Sequence, residues 1–566
     1  MRHKVKIGEG NLMRTAKIVL ILILAGILRV SGIYWGLTDD VYFHATPHYQ
    51  DEAILFQGLR SMDLKSFNIN PKHMMVYAKG PFPTYALGAW LKILSVFKFV
   101  NITKSFDYYK THPLELRNLY VACRLMTVFF GIGAVLLTYF VGKSLYTEKI
   151  GLLAAFLLSI LPVHVVFSHY IATDVMLSFF ALLIILLCYF IIIRGDLKWY
   201  ILCGLTIGVT IATKYPAGII LLVFLLAHYY KFSLKINKNI LLGLFFIFVG
   251  FFIGAPCNFF YYKEFIHNFV EYGILGQYPD LSTVLSESFE PNSGIVYQLT
   301  TAMRYGMGTP MQILSFAGII YAFVRRTKHD LLILLWIVTF NVLISGPTWR
   351  VVRWFIPLTP FYVLLISRFY YEVKNKNKLL NYFLLIVILI TGIYTSAYSI
   401  AYVKGMAEKG VRTEASEWID ANIKEGSSIG VIRDPWFTGP EVVIMEYYYK
   451  EDDPCYVKRK KKYKIIDYKF PIEDYVDIER LRKNPADYIS VSDYEFFPYL
   501  RLKNKYPLTK FIPVFTELFE GKNYIKVKEF TKKPELFGFI PIGGFYPHDW
   551  RLPFETIIIL KNVKKK

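Results

Sequence analysis

Through the first four hundred residues, long apolar blocks alternate with short polar gaps. Residues 18–28, 152–161, 177–193, 221–226, 241–253 and 331–337 carry almost no charge. A membrane-crossing helix needs about 20 apolar residues, and shorter ones occur inside bundles. The pattern predicts an α-helical polytopic membrane protein with about eleven transmembrane helices, near 16–36, 118–141, 149–162, 174–193, 199–213, 216–230, 239–255, 309–324, 331–345, 354–371 and 379–402. The first block is too long for a signal peptide and has no small-residue cleavage site after it, so it reads as the first span. Arg2, Lys4, Lys6, Arg14 and Lys17 precede it, which predicts a cytoplasmic N-terminus. The inner gaps then hold Lys143, Arg194, Lys198, Lys231, Lys235, Lys238, Arg325, Arg326, Lys328, Lys374, Lys376 and Lys378, and this alternation stays in phase along the whole series.

Two outside segments are long, at about 37–117 and 256–308, within a transmembrane unit spanning 1–403. The remainder, 404–566, is polar and follows an odd number of spans, so it is expected to be an extracytoplasmic soluble domain. Residues 414–423 show helical spacing and Gly426 can end that helix. Residues 428–432 and 556–560 read as buried strands, which suggests a small α/β domain.

Composition narrows the class. Of 566 residues, 54% are hydrophobic and only 19% are charged, against about a quarter in soluble domains. A soluble enzyme, a disordered chain and a disulfide-rich secreted module are excluded. The five cysteines imply no disulfide framework, and only Cys257 and Cys455 could pair. The net charge of +22 raises the question of nucleic acid. Its distribution follows membrane topology, so no nucleic acid is expected and membrane lipids are the natural partners. The basic run at 458–464 reads as a solvated loop or a headgroup contact.

The outside segments carry the chemistry. His44, His48, Asp51 and Glu52 lie just beyond the first span. The two acids can cap a helix N-terminus or take a proton from a substrate. Lys79-Gly80-Pro81 and Pro83 make a tight turn reaching Tyr85, and the lysine can snorkel or meet a lipid-linked phosphate. His164, Ser168 and His169 precede Asp174, which opens the fourth span as an N-cap or as a functional ionisable group at membrane depth. Arg350 and Arg353 share one face if the following helix starts early, and arginine suits phosphate through its planar fork. Lys214 is a weaker member of the same set. Arg29 and Arg124 are read as structural, paired with Asp174 or Glu115 or snorkelling. His44, His48, Asp51 and His169 match no standard zinc spacing. No cofactor is required, although a divalent cation remains compatible. Under the predicted orientation these acids and bases meet on one membrane face, as a site for an anionic lipid-linked substrate requires.

In this order, the motifs resemble the polyprenyl-phosphate-sugar-dependent membrane glycosyltransferases of the GT-C fold, nearest the protein O-mannosyltransferases and the lipid A aminoarabinose transferases. Asp51-Glu52 is similar to the acidic pair of that family's first outside loop. Lys79 to Tyr85 is similar to its Lys/Pro turn, and Arg124-Leu125 to the opening of its second span. Residues 151–155 lead to Pro162 and Asp174 as in those enzymes. The stretches 204–214 and 353–360 are similar to further family segments, and so is the region 412–418. His169 stands where arginine is common, and Tyr49-Gln50 where His-Pro is common. The Trp-Trp-Asp motif of oligosaccharyltransferase catalytic subunits is absent, which disfavours whole-glycan transfer to asparagine.

The resemblance implies an inverting glycosyltransferase moving a monosaccharide from a polyprenyl (dolichyl) phosphate, as in mannosyltransferases, to a protein, glycan or lipid hydroxyl on the outer face of the plasma membrane. Asp51 is expected as general base, with Glu52 and Asp174 orienting hydroxyls. Lys79, Arg353, Arg350 and Lys214 are expected to hold phosphate, and Tyr85, His48 and His169 to line the substrate site. A transporter or flippase is the rival reading. It expects midplane charges and repeats, which are not evident here.

Overall fold

The computed structural model describes residues 2–37, 49–63, 66–105, 108–109, 112–278, 293–374, 377–432, 439–440, 462–468, 478–502, 512–544 and 546–564. Each predicted span falls on a helix. These are α1 (Arg2–Val30), α5 (Pro113–Leu145), α6 (Glu148–Ser159) continued by α7 (Pro162–Val166), α8 (Thr173–Ile193), α9 (Leu197–Thr213), α10 (Leu221–Phe232), α11 (Lys238–Gly254), α12 (Thr309–Arg325), α13 (Lys328–Ser345), α14 (Thr359–Val373) and α15 (Lys378–Ala407). Between α1 and α5 lie α2 (Gln50–Ser61), α3 (Met74–Lys79) and α4 (Phe82–Val96). Among the described residues, five helices are long and apolar enough to cross a membrane, or six if the bent α6–α7 pair counts as one, with 197–213 and 238–254 as shorter apolar helices. The chain is a multi-pass membrane protein on this evidence.

Local sequence explains where these helices begin. Thr147, Asn237 and Asn377 each accept a hydrogen bond from the backbone amide three residues on, capping α6, α11 and α15. Thr327 and Asp330 form a reciprocal capping box on α13. Packing then depends on small residues where backbones must touch. A Cβ on Gly204 would lie 2.2 Å from the Gly243 carbonyl, and one on Gly208 2.2 Å from that of Ile247. Glycine at these positions lets α9 and α11 approach closely, the usual means of helix association where lipid removes the hydrophobic drive.

The bundle's polar interior is built from arginines. The α6–α7 pair bends by 62° at Pro162. Arg29 donates to the Ser159 carbonyl at 3.0 Å and to the Leu158 carbonyl at 3.3 Å, which also accepts from the Leu161 amide, so both carbonyls at the break are satisfied. Arg124 pairs with Glu52 through two bonds of 2.8 Å, and both side chains are fully buried. It also donates to the carbonyls of Ile33 and Trp35 at 2.6 and 2.7 Å. Glu52 accepts from the Ile171 amide at 3.0 Å as well. This knot ties α2 to the end of α1, to α5 and to the approach to α8. The expected partners of Arg124, Asp174 and Glu115, are engaged elsewhere. Asp174 binds Lys214, and Glu115 accepts from Tyr108 and Asn101.

Beyond α15 and α16 (Val411–Asn422) the chain forms a five-stranded mixed sheet. Its strands are β1 (Ser428–Val431), β2 (Lys464–Asp467), β3 (Tyr488–Ser492), β4 (Tyr524–Thr531) and β5 (Thr556–Asn562), in the order β2-β1-β3-β5-β4. β1 pairs in parallel with β2 and β3, whereas β5 runs antiparallel to β3 and β4. The helix predicted at 414–423 falls on α16, which ends at Asn422, and the strand predicted at 428–432 falls on β1, which ends at Val431. Cys257 is a free, buried thiol, and Cys455 lies outside the described residues, as does most of the basic run at 458–464.

Removing one partner of a fully buried ion pair strands the other charge, which costs about 3–5 kcal/mol. Glu52→Ala should therefore lower the unfolding midpoint in detergent markedly. Adding Arg124→Met should recover much of the loss. A Glu52→Ala protein as stable as the parent would contradict the buried pair.

Candidate active site

Asp51 sits in the first turn of α2, and the turn before it, at Tyr49, is extended. Lys79 Nζ lies 3.1 Å from Asp51 Oδ1, and Arg353 Nη2 lies 3.0 Å from Oδ2. One carboxylate thus holds two cations from segments far apart in sequence. Its side chain keeps 28% of its surface exposed, so the group is reachable. A second pair, Asp174 with Lys214 at 2.6 Å, completes the cluster. The pairs are electrically linked. Lys214 contributes to the field on Asp51, and Asp174 to that on Arg353.

Each side chain is placed by an identifiable constraint. Lys79 ends α3 and is followed by Gly80 at φ +137°. A Cβ there would lie 2.5 Å from the Ala212 carbonyl and 2.7 Å from that of Thr213. Only glycine allows the Lys79 turn to rest on the end of α9, which brings Lys79 beside Lys214. Lys214 follows α9 and stands 5.7 Å over the Trp354 ring, a cation–π contact. Asp174 lies in the first turn of α8. Arg353 lies on a short 3₁₀ helix, Val352–Leu358, that leads into α14. Its Nη1 donates to the Tyr49 hydroxyl at 2.9 Å, and Tyr49 stacks on Tyr170 with ring centroids 4.6 Å apart.

The 3₁₀ helix is capped from the far end of the chain. Asp549 accepts from the Val352 amide at 3.0 Å and from the Arg353 amide at 2.9 Å. Trp550 beside it donates to Tyr398 Oη at 2.9 Å, and Tyr402 donates to the Trp550 carbonyl at 3.1 Å, both tyrosines being on α15. The C-terminal segment therefore holds the backbone of Arg353 in place.

The electrostatics favour a charged, exchangeable cluster. Burial alone would raise the Asp51 carboxyl, but Lys79 and Arg353 outweigh it and hold the group far below the usual carboxylate range. Burial lowers Lys214 somewhat, with Asp174 opposing. Burial raises the Asp549 carboxyl against the pull of Arg353 and the two amides. Lys79, Lys214 and Arg353 balance Asp51, Asp174 and, when ionised, Asp549. An incoming anion would therefore compete with a carboxylate for its cations instead of entering a vacant positive hole.

Of the residues expected from the sequence, Asp51, Lys79, Asp174, Lys214 and Arg353 come together. Others are corrected. Glu52 has both carboxylate oxygens on Arg124 and the Ile171 amide, so it braces the fold and cannot orient a substrate hydroxyl. His169 is fully buried, its ring nitrogens 2.7 Å from the Ser31 carbonyl and 3.0 Å from that of Val165. It is a strut between α1 and α7, not a substrate contact. The Tyr85 hydroxyl donates to the Ile69 carbonyl at 2.9 Å, pinning the first long segment to itself. Arg350 precedes the 3₁₀ helix, is buried, and donates from Nε to the Pro347 carbonyl at 3.2 Å. It does not share a helical face with Arg353, because the backbone at Val351 is extended. His44 and His48 lie outside the described residues. Among the described residues, no group of three or more His, Cys, Asp or Glu side chains is arranged to hold a metal ion.

Residues 116–255 match the model of a family described as dolichyl-phosphate-mannose-protein mannosyltransferase. The resemblance to the glycosyltransferases is borne out. No curated protein sequence matches the chain. Among solved structures, it is similar to ArnT from Cupriavidus metallidurans bound to undecaprenyl phosphate, at 13% identity and TM-score 0.48, covering 96% of this chain and 98% of that one. It is also similar to the Archaeoglobus fulgidus oligosaccharyltransferase in the apo form, at 13% identity and TM-score 0.49, covering 85% of this chain and 69% of that one. The same oligosaccharyltransferase, AglB, in complex with an inhibitory peptide and a dolichol-phosphate matches at 13% identity and TM-score 0.48, covering 88% and 72%.

Sequence reasoning missed Asp549 and passed over Tyr49 as a mere departure from the family pattern. The aromatic Asp549-Trp550 pair late in a polar region was the available signal for the first. Asp549→Ala should free two amides of the 3₁₀ helix. Leaving such groups unpaired costs about 1–3 kcal/mol each. Binding of a polyprenyl phosphate to the purified variant, followed by calorimetry, should weaken because Arg353 loses the anchor of its backbone amide. Unchanged affinity would show that Arg353 is positioned without the cap.

Proposed function

We propose that this chain is an inverting glycosyltransferase that moves a hexose, mannose being the first candidate, from a polyprenyl phosphate to a hydroxyl of a protein, glycan or lipid. The arrangement of Asp51 between Lys79 and Arg353, beside Asp174–Lys214, is the observation that carries the reading. The N-terminus is cytoplasmic in this proposal, with all eleven helices crossing the plasma membrane. The cluster and the C-terminal sheet then lie on the outer side.

The chemistry follows from exchange of partners. The donor phosphate binds Lys79 and Arg353, with Lys214 alongside. These cations stabilise the charge that grows on the phosphate as the sugar departs. Drawn toward the phosphate, they release Asp51, whose proton affinity rises. Asp51 then removes the acceptor hydroxyl proton as general base, while that oxygen attacks the anomeric carbon from the face opposite the phosphate. The base is masked until the donor is present. Asp174 keeps Lys214 oriented. A transporter would not require a carboxylate held this way at one end of the bundle.

Asp51→Asn should lower transfer from a radiolabelled lipid-phosphate hexose by about 10²–10⁴-fold, the usual worth of a general base. The protein should remain folded in membranes, and full activity would remove Asp51 as base. Lys79→Ala should chiefly weaken donor use, and an unchanged dependence on donor concentration would refute its phosphate role. Unmasking also predicts a pH signature. In the free enzyme Asp51 stays ionised throughout the mildly acidic range, so kcat/KM for donor should show no acidic limb from it. In the donor complex its proton affinity is higher, so kcat should fall as pH drops through that raised value. Coincident pH profiles for the two parameters would refute the exchange.

A further inference from the structure

After β4 the chain makes a tight turn that plays no part in the proposed chemistry. Leu536 and Phe539 exchange both backbone hydrogen bonds, at 3.0 and 2.9 Å, leaving Phe537 and Gly538 at the tip. Glu535 Oε1 accepts from the Gly538 amide at 3.1 Å and closes the turn. Both tip residues have positive φ, +50° for Phe537 and +80° for Gly538. Such turns favour asparagine, aspartate or glycine at the first tip position. A bulky aromatic there is strained. Phe537 is also 97% exposed, with Phe539 and Ile540 open at 42% and 40%. In water, neither the strain nor the exposure gains anything.

The turn is anchored against α15. The Phe539 ring lies 5.9 Å from that of Tyr394, and the Tyr394 hydroxyl donates to the Pro541 carbonyl. Around that level α15 presents Ile390 and Ile393, both widely exposed. Between Lys378 and Lys404 the helix carries no charge. Lys378 opens the helix sixteen residues before Tyr394. At about 1.5 Å per residue this is roughly 24 Å, short of the roughly 30 Å thickness of a bilayer's hydrocarbon core. The turn therefore meets α15 at a level still within the apolar layer or at its edge. Exposed Lys533, four residues before the tip, is suited to the headgroup zone.

We propose that the tip of this turn, Phe537–Ile540, dips into the membrane lipid beside α15, with Phe537 as the inserted side chain and Glu535 at headgroup level. The C-terminal sheet unit is then held by the bilayer as well as by the Asp549–Trp550 contact. This rests on α15 being a membrane span, and the test separates the two claims.

Nitroxide labels would be placed singly by Phe537→Cys, Ile393→Cys and Lys526→Cys in the full chain carrying Cys455→Ser, reconstituted in phosphatidylcholine–phosphatidylglycerol vesicles. Ile393 reports the lipid-facing side of α15, and Lys526, exposed on β4, reports water. Collision rates with oxygen, which concentrates in lipid, and with a polar nickel chelate would be compared. The expected result is an oxygen-to-nickel ratio at 537 close to that at 393 and several-fold above that at 526. A ratio at 537 matching 526, with 393 in lipid, would overturn the proposal and leave α15 as a span. Low collision with both reagents at 537 would place it against protein and also overturn it. A water-like ratio at 393 would overturn both claims. Phe537 contributes no packing that its replacement would remove, so the variant should fold.

Discussion

One carboxylate shared by two cations organises the candidate site. Asp51 draws Lys79 from the first long segment and Arg353 from beyond α13 to the same point. Gathering two mutually repelling cations on one carboxylate at a largely desolvated surface is costly, because each charge loses water before it gains a partner. The arrangement persists only where surrounding structure over-determines it. Gly80 seats the lysine on the end of α9, Asp549 fixes the backbone of the arginine, and the Arg124–Glu52 knot fixes α2. Each brace comes from a different part of the chain, so the site is a property of the whole bundle and its C-terminal sheet unit.

The two acids of the Asp51-Glu52 pair show how burial divides roles between neighbours. On a helix, adjacent residues point about 100° apart. Glu52 therefore faces inward, where a guanidinium and an amide saturate it. Asp51 faces the open side, where its partners are cations that another anion can attract. The inner pair contributes rigidity and the outer one remains exchangeable. The same contrast separates His169, buried between the carbonyls of Ser31 and Val165, from Lys214, whose ammonium is shared between a carboxylate and an indole face.

Helix positions were readable along the chain because each apolar block is bounded by its own polar cap or basic gap. Thr147, Asn237, Thr327 and Asn377 act within four residues of themselves, so local sequence suffices to find them. The strand at 428–431 and the helix at 411–422 were legible for the same reason. The partners of buried charges were not. Arg124 was assigned the wrong acids because nothing in its neighbourhood distinguishes Glu52 from Glu115 or Asp174 as a target. The choice depends on how α2 docks. Arg350 and Arg353 look equivalent in sequence, yet an extended residue at Val351 and the Asp549 cap separate their directions.

By itself, then, the sequence determined the membrane class and the helix order, because hydrophobic length, capping and charge spacing are local quantities. It also determined Asp51, Lys79, Asp174, Lys214 and Arg353 as candidates through their order along the chain. Tertiary structure alone decided which of them meet, which neighbours are structural braces, and that a residue almost two hundred positions after Arg353 holds it in place. Those outcomes turn on desolvation and on hydrogen-bond saturation. Both depend on what packs around a group in three dimensions, and no stretch of chain carries that information alone.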